Sequence, residues 1–137
     1  MTRRDFIYRS AILGAGASLS PMLVRASGKQ VGANDKIRIG LIGCNGMGFS
    51  NLTSFLRNSE VECIALADID QGVLDRRAAE VEKIQGKKPK GLYKDWRHLI
   101  DNKDVDVVIV GTPDHWHCLQ MVAACEAGKD VYCEKPL

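Results

Sequence analysis

The chain has 137 residues, of which 45% are hydrophobic and 26% charged, and its net charge is +2. That length allows one domain with a core of its own, while the small charge, with no Lys/Arg run interleaved with aromatics, argues against a nucleic-acid surface. Five cysteines (Cys44, Cys63, Cys118, Cys125, Cys133) form no CxxC pair, which excludes a disulfide framework or zinc site and predicts reduced, mostly buried thiols.

Residues 1–26 read as an export signal. Arg3 and Arg4 precede Asp5, Phe6 and Ile7, and the apolar stretch Ala11 to Val24 follows. The stretch is shorter than the ~20 apolar residues of a membrane span but suits the apolar region of a secretory signal, with cutting after Ala26. The paired arginines resemble a twin-arginine signal, which predicts periplasmic or otherwise exported protein and passage through the twin-arginine machinery. Residues 1–26 hold four arginines and one aspartate, so their removal takes the net charge from +2 to −1. Residues 27–35 read as a linker.

From residue 36 onward strands and helices alternate. Lys36 to Ile42 is a β-branched run ending at glycines, a buried strand. Gly46 to Arg57 follows as a helix with Met47, Leu52, Phe55 and Leu56 as its stripe. Val61 to Ile69 is the next strand. Asp70 caps a helix through Gln85 that places Leu74, Ala78, Val81 and Ile84 on one face. After a polar loop comes a short extended piece, then a helix near Trp96 capped by Asp95. Val105 to Gly111 is apolar on both faces, as a central parallel strand is. His117 to Gly128 is a helix stopped by Gly128, and a last strand begins at Asp130. This order predicts an α/β fold of Rossmann type: a doubly wound parallel sheet over residues 36–137.

Gly43 and Gly48 fit the outer glycines of the dinucleotide fingerprint G-x-G-x-x-G. The fingerprint turn follows a strand and opens a helix whose free N–H groups suit a pyrophosphate. Asn45 stands at the second glycine position; Asn tolerates left-handed backbone angles better than any residue but glycine, and Gly46 adds slack, with Met47 beside it, so the departure reshapes the phosphate contact without removing it. Asp68 lies 20 residues beyond Gly48, where a carboxylate accepts bonds from the adenosine ribose. An acid there favours NAD over NADP, although Arg76 and Arg77 keep NADP as the lesser option.

Thr112 to His117 (TPDHWH) closes the central strand, at the end of the sheet where such folds bind ligands. Pro113 keeps the backbone extended, and His117 is expected to face the crevice from the helix start. His115 and His117, two residues apart with no cysteine or carboxylate cluster, make a poor metal site, so no metal is expected. His98 is read as a surface residue, and Trp96 and Trp116 as packing residues. The final strand delivers Glu134 and Lys135 to the same rim, where a lysine buried beside a nicotinamide would handle a substrate proton.

GLIGCNGMG, ALADID, YKDWRHLID, VGTPDHWH and above all AGKDVYCEKPL resemble the glucose–fructose oxidoreductase / inositol dehydrogenase (Gfo/Idh/MocA) family across Lys36 to Leu137. The resemblance implies that Lys135 is the catalytic lysine of an EKP motif. It implies that Gly43, Gly48 and Asp68 bind the cofactor and that Pro113 and Glu134 line it; the reading of the residues themselves adds Asn45, Gly46, Met47, Thr112 and His117 to the cofactor site. It further implies NAD(P)-dependent oxidation or reduction of a sugar or polyol, and homo-oligomers of the full-length protein. The family's second, C-terminal α/β domain and its remaining catalytic groups would then lie beyond Leu137, leaving this stretch alone inactive. Alternative readings are an NAD-dependent glycosidase of the same family and a non-catalytic nucleotide-binding protein.

Overall fold

The computed structural model describes residues 36–136; the expected signal and linker lie outside the described residues. Five strands form one parallel sheet in the order β3-β2-β1-β4-β5: β1 (Ile37–Ile42), β2 (Val61–Ala67), β3 (Gly91–Tyr93), β4 (Val107–Val110) and β5 (Asp130–Cys133). The helices are α1 (Gly46–Phe55), α2 (Gln71–Gln85), α3 (Trp96–Asp101) and α4 (His117–Glu126), the last preceded by a 3-10 turn at Asp114–Trp116. The strand order reverses between β1 and β4, the switch point at which an open α/β sheet holds ligands.

Alternation along the central strands divides the core in two. Ile39, Leu41 and Ile109 face α1 and α2, joining Phe49, Leu52, Val73, Leu74, Ala78 and Val81. Ile42, Val108 and Val110 face the other way, with Leu99, Ile100 and Ala124. A side chain on Gly40 would come within 2.7 Å of Leu99 Cδ2, so the glycine lets α3 lie close on the sheet.

The caps follow the sequence. Asp70 Oδ1 accepts from the N–H groups of Gly72 (2.8 Å) and Val73 (3.2 Å), and Asp95 accepts from Arg97 N–H (2.9 Å). Gly86 and Gly128 take left-handed angles beyond their helices. Some expectations fail at the ends of apolar runs. Strand β2 stops at Ala67, because Asp68 turns back to bond the glycine loop, and Ile69 is left 88% exposed. Val105 is buried, but in the turn before the shorter strand β4. Ile84 and Met47 are exposed, and Val73 and Phe49 occupy the inward positions of their helices. Of the five thiols only Cys44 and Cys63 are buried; Cys118 and Cys125 are exposed on α4.

Candidate functional site

The turn between β1 and α1 is shaped by three glycines in backbone contact. Gly43 has φ +81°, and a side chain there would lie 2.7 Å from Gly111 C and Thr112 N. A side chain on Gly48 would strike Gly43 O, and one on Gly111 would strike Gly48 Cα. The first turn of α1 contains no acidic residue, and the Asn45 side chain makes no capping bond to it. Its N–H groups and dipole therefore suit an anion, and the glycines leave the backbone bare for close approach. These residues fit the pyrophosphate of a dinucleotide.

Asp68 fastens this turn to β2. Its Oδ2 accepts from Cys44 N–H (2.8 Å) and its Oδ1 from Asp70 N–H (3.0 Å). Each carboxylate oxygen keeps a second lone-pair direction for an outside donor. Gly43, Asn45, Asp68, Thr112 and Pro113 line one cavity of about 600 Å3, together with Ile69, Trp96, Trp116 and Gln120. From sequence both tryptophans are expected to be packing residues. Trp96 does pack against the core and carries Arg97 at 4.8 Å over its ring, yet it also walls the cavity; Trp116 is 41% exposed there.

Asn45 does not use its tolerance for left-handed angles: it is extended, at φ −104° and ψ 170°, because Gly43 and Gly46 on either side supply the positive φ that the turn requires. The expectation for His117 needs correction. His117 does not face the crevice. It is 2% exposed, with Nε2 2.7 Å from Thr112 O and Nδ1 2.9 Å from Pro136 O. The ring lies beneath the rim and ties the Thr112 loop to the Lys135–Pro136 turn.

That turn stands apart from the cavity. Glu134 Oε1 accepts from Asn51 Nδ2 on α1 (2.6 Å), and Glu134 N–H bonds Val110 O (3.0 Å). Lys135 therefore sits between two fastened neighbours at the C-terminal edge of β5. The burial expected for it is not supplied by the described residues, among which it is exposed. Met47 and Gly46 are exposed at the start of α1, where their contribution is backbone.

Sequence reading overlooked Gly111, Gln120 and Asn51. A glycine closing a strand buried on both faces was a usable signal for Gly111. Gln120, 2% exposed, accepts from Thr112 Oγ1 (2.7 Å) and holds that loop; neither it nor Asn51 carries a local signature. Among the described residues no group of three or more His, Cys, Asp or Glu gathers as a metal site, and no helix is long and apolar enough to cross a membrane.

A family model described as "Oxidoreductase family, NAD-binding Rossmann fold" (GFO_IDH_MocA) matches residues 37–137. A glycosyl hydrolase family 109 protein of Stenotrophomonas maltophilia is 34% identical over 98% of this chain, which covers 29% of that relative. The crystal structure of an NAD binding oxidoreductase from Klebsiella pneumoniae is 37% identical, with a TM-score of 0.58 over 74% of this chain and 27% of its own. That of the WlbA dehydrogenase from Chromobacterium violaceum, in complex with NADH and UDP-GlcNAcA, is 31% identical. Its TM-score is 0.62 over 77% of this chain and 29% of its own. The chain thus spans under a third of each relative's length. A match running from the first strand to the last residue leaves one assignment: the chain belongs to the Gfo/Idh/MocA oxidoreductase family, and its fold is that family's NAD-binding Rossmann fold.

Proposed function

We propose that the full-length protein is an NAD-dependent oxidoreductase acting on a sugar or polyol, and that this chain supplies the dinucleotide seat and a proton-handling lysine. The observation that carries this reading is the three-glycine contact at the start of α1, with Asp68 fastened beside it. NAD, when bound, supplies the hydride chemistry. The chain's own groups do the rest. The first N–H groups of α1 take the pyrophosphate, and Asp68 accepts from the adenosine ribose, which favours NAD over NADP. Glu134 is held by Asn51 at the rim. On this reading Lys135 Nζ bonds the substrate hydroxyl and, in its neutral form, takes the hydroxyl proton as the carbonyl forms.

A second reading is an NAD-dependent glycosidase, supported by the glycosyl hydrolase family 109 relative, which matches 98% of this chain. Assay of the full-length protein separates the two. Free sugars and polyols should be oxidised with net growth of the reduced-nicotinamide absorbance. Release of an aryl leaving group from aryl glycosides without net cofactor turnover would instead select the glycosidase. A protein that binds NAD and turns over neither class is a non-catalytic binding protein. On the oxidoreductase reading Lys135→Ala loses turnover and keeps NAD binding, and unchanged turnover would remove Lys135 from the mechanism. We further propose export through the twin-arginine machinery, supported by Arg3 and Arg4 ahead of the apolar stretch. Replacing both with lysine should leave the protein in the cytoplasm.

A further inference from the structure

We propose that Arg77 and Asn45 act as a pair that keeps the pyrophosphate seat open, replacing the second glycine of the fingerprint. The inference rests on the assignment of that seat to the β1–α1 turn. Glycine is favoured at the second position because the pyrophosphate comes close to the backbone there. Asn45 brings a side chain to that place, and its own backbone gives no reason for it, being extended with no capping bond.

Its side chain is instead drawn toward α2. Asn45 Oδ1 lies 3.3 Å from Arg77 Nη2 and 3.4 Å from Arg76 Nη2. Both partners are obligate donors, so chemistry settles which end of the amide faces them. Arg76 is exposed and makes the weaker contact. Arg77 is fixed. Its Nε donates to Cys44 O (3.1 Å), its Nη1 pairs with Glu80 Oε2 (2.7 Å), and its guanidinium lies 4.1 Å over the Phe49 ring. The side chain is only 19% exposed. Held between α1 and α2, the guanidinium is a rigid acceptor-seeking fork beside the turn. It pulls the Asn45 carbonyl out of the anion's approach and turns the amide NH2 away from the cation, the end able to donate to a phosphate oxygen. Arg77 is thus a positioning residue that acts through Asn45.

The test is a double-mutant cycle on the full-length protein, read by calorimetric binding of NAD, ADP-ribose and adenosine to the wild type, Arg77→Ala, Asn45→Gly and the double variant. Arg77→Ala should weaken NAD and ADP-ribose about 5- to 20-fold, with adenosine, which lacks the pyrophosphate, unaffected. In the Asn45→Gly background, where no side chain has to be drawn aside, Arg77→Ala should cost less than about twofold. An equal loss in both backgrounds, or loss of adenosine binding as well, would make Arg77 a general charge or a structural support and overturn the pair. Asn45→Leu leaves Arg77 intact and cannot accept from it. It should weaken ADP-ribose by at least about fivefold, and wild-type affinity there would also overturn the proposal. If wild-type protein fails to bind ADP-ribose, the seat itself is misassigned and the pair falls with it.

Discussion

On one face of the sheet, α1 and α2 bury Phe49, Leu52, Val73, Leu74, Ala78 and Val81 against β1, β2 and β4. On the other face, over β4 and β5, α4 buries one apolar residue fully, Ala124, and beside it two polar ones, His117 and Gln120. Leu119 and Val122 on that helix are 45–50% exposed. The glycine turn and Asp68 grow out of the first region, and Glu134 and Lys135 out of the second. Apolar burial is non-directional and strong in aggregate, so it suits a seat that must stay fixed. Hydrogen bonds from a few buried polar side chains are directional and individually modest, and each sets the position of one loop. The helices behind the glycine turn are therefore held mainly by packing, with Asp68 fastening the turn itself, and the lysine edge is held by point attachments.

The largest effect should come from making the same truncation on both sides. Leu52→Ala on α1, at 0% exposure, should destabilise by about 2–5 kcal/mol. Leu119→Ala on α4, at 50% exposure, should cost under about 0.5 kcal/mol. Denaturant unfolding of both variants measures the difference. If Leu119→Ala in the full-length protein costs more than about 2 kcal/mol, another segment covers α4 and the contrast belongs to this stretch of chain alone.

His117→Leu comes next. It leaves Thr112 O and Pro136 O without the ring that joins them, a loss of about 1–3 kcal/mol if neither finds water. An uneven outcome is expected: turnover falls because Lys135 loses its fastening, while NAD affinity falls less, since Gln120 still holds the Thr112 loop that lines the cavity. Equal losses in turnover and NAD affinity would show that the two regions are not separable.

The glycine turn is legible in the sequence and its fastenings are not, for a physical reason. GLIGCNGMG and VDVVIVG carry local demands, positive φ at Gly43 and burial on both faces of a central strand, and residue type answers such demands directly. Asp70, Asp95 and Gly128 are legible for the same reason, since a cap bonds within a few residues. His117 misled because its two partners are backbone carbonyls, one of them 19 residues away, and any residue supplies a carbonyl. The bond that Asn45 makes is not legible either, because its arginine partner lies on another helix, 32 positions on. Ile69 and Ile84 misled by continuing an apolar run past the end of its strand or inward face.

Asp70→Ala should cost about 1 kcal/mol, the usual value of a helix N-cap, since both its bonds are to first-turn N–H groups of α2. Thermal unfolding measures it. The residue also stands next to the turn held by Asp68, so NAD affinity checks whether α2 is placed by its cap or by its buried face. On the packing account affinity stays within about twofold, because Val73, Leu74, Ala78 and Val81 still seat the helix.

The smallest perturbation is chemical labelling, which asks whether the two regions open separately. Burial pushes the Cys63 thiol up to about 12 and the Cys44 thiol higher still, with the Asp68 charge adding to the rise at Cys44. The thiolate is the reactive form, so neither should react with iodoacetamide at neutral pH while the fold is intact. Cys118 and Cys125 are exposed on α4 and should be modified first. Mass spectrometry against time should show these two sites filling while Cys44 and Cys63 wait for unfolding in denaturant. Should Cys44 react as fast as Cys118, the glycine turn opens without global unfolding, and packing cannot be what holds the seat. Should Cys44 react only after denaturation while the α4 thiols are already modified and NAD still binds, the seat survives disturbance of the opposite face. A region held by burial and a region held by point attachments predict that second result.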